Sequence, residues 1–91
     1  MRSFRTWDFK ERYQQLPVRV QEQADTAFRL FAENPNHPSL HFKVVSNEIP
    51  PLYSVRVGIA YRALGYRTED DLIVWFWIGP HTVYDKILKA R

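Results

Sequence analysis

With 91 residues, 45% of them hydrophobic and 25% charged, the chain fits a single domain spanning residues 1–91 with one modest core. It has no cysteine, which excludes disulfides, thiolate chemistry and Cys-ligated zinc. The net charge is +3 and nine of the thirteen basic residues are Arg, a mild bias toward polyanions. No apolar run reaches the ~18 residues of a membrane span. The start, "MRSFRTWDFKERY", is charged where a secretion signal is apolar, so a cytoplasmic protein is expected.

In chain order, residues 2–6 read as a short first edge strand. Asp8 is placed to cap a helix, with Glu11 at capping-box distance, and Phe9, Tyr13 and Leu16 recur on one helical face. Pro17 stops that helix and suits the first turn of the next. The second helix, "PVRVQEQADTAFRLFAENP", carries the apolar stripe Val20, Ala24, Ala27, Phe28 and Phe31 and ends at Asn34-Pro35. The hydrophobic period then changes from helical to alternating. Strands are expected at 39–46, 52–58, 60–67 and 72–79, the middle two joined tightly at Gly58. The last strand, "LIVWFWIG", is apolar at almost every position, so it is central in the sheet or covered on both faces. "TVYDKILKA" forms a short C-terminal helix with Val83, Ile87 and Leu88 inward. The expected fold is α+β, summarised as β-α-α-β-β-β-α: a helical hairpin on a twisted antiparallel sheet, with a short C-terminal helix.

The chemistry concentrates in the hairpin of the middle strands and in the segment after the last strand. If the loop of "LYSVRVGIAYRALGY" is residues 58–60, Val57 opposes Tyr61 and Arg56 opposes Arg62. Tyr53, Val55, Val57, Tyr61 and Ala63 then share one face, and Ser54, Arg56, Arg62 and Leu64 the other. Two guanidiniums facing each other repel. An anion between them removes the penalty, and Arg suits a phosphate. The competing reading is that both sit on a solvated face or pair with Glu69 or Asp70. His81 titrates near neutrality and lies just past a strand end, and Gly79-Pro80 fixes the exit of the chain. Tyr84 lies beside it if a helix starts at Thr82, and a phenol can donate a proton, bond a phosphate or stack on a base. Against this stands a surface histidine and a tyrosine that merely packs the last helix. His37 lies in a solvent loop. His41 and Lys43 share a strand face with Ser39, and Lys43 is the better phosphate partner. The three histidines show no ligand spacing, and there is no glycine-rich phosphate loop or G-x-S-x-G elbow, so neither metal nor cofactor is expected.

A helical hairpin followed by "NPNHPSLHFKVV", "YSVRVGIAYRALGY" and "WFWIGPHTVYDKIL" resembles the RelE/ParE toxin superfamily of bacterial type II toxin–antitoxin systems, over nearly the whole chain. The most specific parts are residues 56–62 and 78–85. The resemblance implies a toxin held silent by a cognate antitoxin, and in many members a metal-independent endoribonuclease cutting mRNA, often on the ribosome. In that chemistry a ribose 2′-OH attacks the adjacent phosphate, giving a 2′,3′-cyclic phosphate. Carried over by position, Arg62 contacts the scissile phosphate, Arg56 is a second basic contact, His81 transfers a proton, Tyr84 orients the substrate and Lys43 adds a phosphate contact. The chain departs from ribosome-dependent RelE in having Leu52-Tyr53-Ser54 where lysines stand, and Pro80-His81 where a basic residue follows the last strand. The alternatives are the ParE branch, which shares the fold without the nuclease residues and inhibits DNA gyrase without being an enzyme, and a degenerate member that only binds its antitoxin. The resemblance also implies that the antitoxin covers an exposed apolar flank.

Overall fold

The computed structural model describes residues 1–90. Five strands, three α-helices and one 3-10 turn come in the order β1 (Arg2–Arg5), α1 (Trp7–Gln14), α2 (Val18–Glu33), the turn Pro38–Leu40, β2 (Lys43–Ser46), β3 (Leu52–Val57), β4 (Tyr61–Arg67), β5 (Leu72–Pro80) and α3 (His81–Lys89). The class is the expected α+β. The order is β-α-α-β-β-β-β-α, one strand more than the expected string.

The sheet order is β1-β5-β4-β3-β2, so the near-continuous apolar strand β5 is indeed interior. Pairing is antiparallel except at β1, which lies parallel to β5 with Arg2 opposite Leu72 and Phe4 opposite Val74. The sheet is therefore mixed, not purely antiparallel. A parallel partner is available because β1 returns to β5 only through the long excursion over both helices.

α1 and α2 cover one face of the sheet. Phe9 on α1, and Val20, Ala24, Ala27 and Phe31 on α2, are buried against Val55, Val57, Ala63, Ile73, Trp75 and Ile78. α3 covers part of the other face, where Tyr84 meets Leu64 and Trp77, with Ile87 and Leu88 packed alongside. Val83, expected inward, is 42% exposed. Because the helix begins at His81 rather than Thr82, Tyr84, Ile87 and Leu88 form the inward face at i, i+3 and i+4.

The apolar run of β5 has a second cause besides coverage. Leu64 pairs with Trp77 and Gly65 with Trp75, leaving Phe76 as an extra residue in a β-bulge. The bulge reverses the alternation. Ile73, Trp75 and Ile78 point to the helical hairpin, while Phe76 and Trp77 point to the α3 side.

Two local expectations are corrected. Asp8 is not the cap of α1. The Thr6 hydroxyl accepts from the Phe9 amide at 3.2 Å, and Asp8 lies in the first turn, where its charge favours the helix N-terminus. Residues 39–46 are not one strand. Pro38 opens the 3-10 turn, the His37 Nδ1 accepts from the Ser39 amide at 3.2 Å, and His41 closes the turn with φ of 47°. The strand starts only at Lys43.

The helical hairpin is tied by polar contacts as well as by its core. The Gln21 Nε2 donates to the Tyr13 carbonyl at 3.0 Å, and the Tyr13 hydroxyl donates to the Asp25 carboxylate at 2.7 Å. The bond to Asp25, aided by burial, raises the Tyr13 phenol above its ordinary value. A group whose folded-state pKa is raised contributes stability that is complete below the unfolded value and is lost as pH rises through the folded one. Tyr13→Phe is therefore expected to remove part of the stability loss above pH ~10, read from denaturation midpoints on either side of that pH. Thr6→Ala is expected to cost about 1 kcal/mol and Asp8→Ala clearly less, measured by urea unfolding.

Candidate active site

The β3–β4 hairpin sets the geometry. Its loop is residues 58–60, with Val57 opposite Tyr61 and Arg56 opposite Arg62. Gly58 turns the corner at φ of 59°, a left-handed conformation that glycine adopts without strain. The two faces separate as the alternation requires. Val55, Val57 and Ala63 enter the main core, while Ser54, Arg56, Arg62 and Leu64 look to the α3 side.

On that side lies a cavity of about 380 Å³. Each neighbouring strand delivers a side chain to it. β2 gives Lys43, which pairs with Ser54; β3 gives Ser54 and Arg56; β4 gives Arg62. The first two turns of α3 give His81, Tyr84 and Asp85. All five side chains singled out in the sequence, His81, Arg62, Tyr84, Arg56 and Lys43, thus meet in one cavity. A larger groove of about 580 Å³ runs between α2, the 3-10 turn and the hairpin tip, and shares only Arg56 with the first. It holds no histidine, and of the five side chains singled out in the sequence it is lined only by Arg56.

The two arginines find no carboxylate partner among the described residues. Arg62 Nη1 donates to the carbonyls of Tyr61 at 2.7 Å and Ile59 at 3.1 Å, which holds the side chain against its own hairpin. Glu69 and Asp70, the acids considered for pairing, lie in the turn at the far end of β4. Next to Arg62 on β5 sits Gly79. A Cβ there would come within 2.7 Å of the Trp77 ring, which lies across the glycine.

His81 is held at the cavity rim from two directions. Its amide donates to the Ala60 carbonyl at 2.8 Å, tying the start of α3 to the hairpin loop. Its Nδ1 lies 3.8 Å from the Asp85 carboxylate, one helical turn on. Tyr84 is mostly buried, and its hydroxyl donates to Ser54 Oγ at 3.2 Å. That combines both readings of Tyr84: the ring packs α3 onto the sheet, and the residue lines the cavity. Three contributors are not evident from the sequence. Ser54 is only 2% exposed and reads as an ordinary strand residue. Asp85 matters only through helical spacing to His81. His41 leaves the strand face assigned to it, yet still reaches the cavity, with Nε2 3.3 Å from Arg56 Nη1. Among the described residues no group of three or more His, Asp or Glu could hold a metal ion. No helix is long and apolar enough to cross a membrane.

No protein-family model matches the chain, and no curated protein sequence is significantly similar to it. Solved structures are similar. An archaeal RelE from the RelE–RelB complex of Pyrococcus horikoshii OT3 superposes with a TM-score of 0.69 at 17% identity, over 87% of this chain and 92% of that one. The toxin–antitoxin complex RelBE2 of Mycobacterium tuberculosis gives 0.66 at 20% identity, over 87% and 95%. A copper-bound mutant toxin from Helicobacter pylori gives 0.60 at 11% identity, over 91% and 97%. The chain therefore has the RelE-type toxin fold, across nearly its full length.

The Tyr84–Ser54 bond is a buried side-chain pair in the cavity wall. Tyr84→Phe and Ser54→Ala are each expected to cost about 1 kcal/mol, and the double variant less than their sum because they remove the same bond. Chemical denaturation of the three variants measures this.

Proposed function

We propose that the chain is the toxin of a toxin–antitoxin pair and acts as an endoribonuclease. The observation that carries this reading is the convergence of His81 and Tyr84 on the cross-strand pair Arg56–Arg62, with Lys43 at its side. Cleavage by the adjacent 2′-OH places extra negative charge on the phosphate oxygens and moves two protons. Two guanidiniums and an ammonium supply the stabilising charge. A histidine at the rim supplies proton transfer. Tyr84, its hydroxyl engaged with Ser54, lines the cavity and would orient the substrate.

The partner reading is supported by the surface near the helices. Trp7, Val18 and Ile59 are 70%, 69% and 77% exposed. These are exposed apolar side chains that a partner could cover. An antitoxin bound there would bury them, as the resemblance implies.

Primer extension on a defined mRNA in a reconstituted translation reaction, with and without ribosomes, tests the nuclease reading. The wild type is expected to cut, and His81→Ala and Arg62→Ala each to slow cutting by roughly 100-fold or more with unchanged circular dichroism. Undiminished cutting by both variants would show that the site is elsewhere. A wild type that cuts no RNA but abolishes gyrase supercoiling would make the protein a gyrase inhibitor instead.

A further inference from the structure

We propose that His41 is the general base of this site, acting from the Arg56 side against His81 as the acid on the Arg62 side, on an RNA phosphodiester held between the two guanidiniums. The proposal rests on the ribonuclease reading and assigns both of its proton transfers.

The order of groups across the sheet is the first support. His41 lies at the entry to β2 and contacts Arg56 on β3; Arg56 faces Arg62 on β4; and His81 lies just past the end of β5, tied by its amide to the loop before Arg62. Displacement at phosphorus is in line, so the entering and leaving oxygens lie on opposite sides of the phosphorus. A base and an acid must therefore flank the phosphate rather than share one side. Strands are spaced by about 4.8 Å, so the three gaps from β2 to β5 span roughly 14 Å between backbones. Side chains extending inward from both margins bracket one phosphodiester over the arginine pair.

The contacts of the two imidazoles are the second support. A guanidinium has no acceptor, so in its contact with Arg56 the His41 Nε2 must offer a lone pair. His41 is then a neutral imidazole, the form a base requires. To act as the acid, His81 must carry a proton on each nitrogen, with Nδ1 beside the Asp85 carboxylate at 3.8 Å and the Nε2 proton available to the leaving oxygen. The backbone adds a third observation. His41 adopts φ of 47°, a conformation that costs a residue with a Cβ of order 1 kcal/mol or more, and such cost gathers at functional sites.

The step balances without a co-reactant. A phosphate bound by Arg56 takes over the N–H that His41 Nε2 had accepted, and frees that lone pair. His41 removes the proton from the 2′-OH as the O2′–P bond forms. The P–O5′ bond breaks and O5′ takes the proton of His81. The products are a 2′,3′-cyclic phosphate and a 5′-OH, and each histidine returns to its starting state by exchange with water.

The test uses two RNA substrates that the wild type cuts, free or on ribosomes: one all-oxygen, one with sulfur in place of the 5′-bridging oxygen at the cleaved linkage. A thiolate departs without a proton. On the oxygen substrate His41→Gln and His81→Ala are each expected to be at least ~100-fold slow. On the sulfur substrate His81→Ala is expected to recover to within about tenfold of wild type, and His41→Gln to stay slow. Gln keeps an acceptor for Arg56, so near-normal cutting by His41→Gln would reduce His41 to a support for that arginine and overturn the proposal. Sulfur rescue of His41→Gln rather than His81→Ala would overturn it as well. His41→Asn, which tolerates the left-handed backbone, repeats the measurement with the turn preserved. In all these outcomes the wild type remains active; a wild type that cuts neither substrate removes the ribonuclease reading itself, and this proposal with it.

Discussion

Phe28, Phe31 and Phe42 pack edge-on around the Trp75 indole, with ring centroids at 5.4, 5.5 and 6.5 Å. Contacts of this kind add about 0.5–1.5 kcal/mol each beyond the area they bury. Their importance here is architectural. Phe28 and Phe31 belong to α2, Phe42 to the connection entering β2, and the indole nitrogen reaches Ser3 on β1. One side chain thus ties the interior strand β5 to the helical layer, to the edge strand β1 and to the segment entering β2. Its seat depends on Gly65 across the ladder on β4, because a Cβ there would stand 2.7 Å from the ring. With β5 fixed this way, Gly79 falls beside Arg62 and the chain leaves the sheet at His81.

The opposite face carries unfavourable charge imposed by the register. Arg56 and Arg62 are directly opposed, and a polar isostere at either would relieve the repulsion. Only part of the cost is offset locally, through two carbonyls that accept from Arg62 and the imidazole that accepts from Arg56. The aromatic cluster on the far side of the same strands offsets that cost in the stability of the whole.

Much of this is legible in the sequence because alternation in a hairpin is strict. Once the loop is three residues long, Val57, Arg56, Tyr61 and Arg62 have their faces and partners assigned, and His81 and Tyr84 are placed by helical spacing. The features that are not legible depend on the chain at a distance or on competing local signals. The parallel pairing of β1 is decided by which edge of β5 stays uncovered, and residues 2–6 hold no trace of that. Thr6 and Asp8 are both good caps two positions apart, and the entry from β1 selects between them. Pro38 with His37 makes a turn inside "HPSLHFKVV", which otherwise alternates like a strand, so alternation alone assigns His41 the wrong backbone. The bulge at Phe76 is hidden because every residue around it is apolar on either face.

That hidden bulge governs what evolution can do with the last strand. Beyond Phe76, side is set by counting from an irregularity rather than from the start of β5. Substitutions in "VWFWI" exchange one apolar group for another and leave the count intact. Loss or gain of a single residue there would send Ile78 out of the main core, carry Gly79 from under the Trp77 ring, and launch α3 from the wrong side of the sheet. Length between Gly65 and His81 is therefore more tightly constrained than composition. Relatives that keep this site are expected to differ in letters there while aligning without gaps.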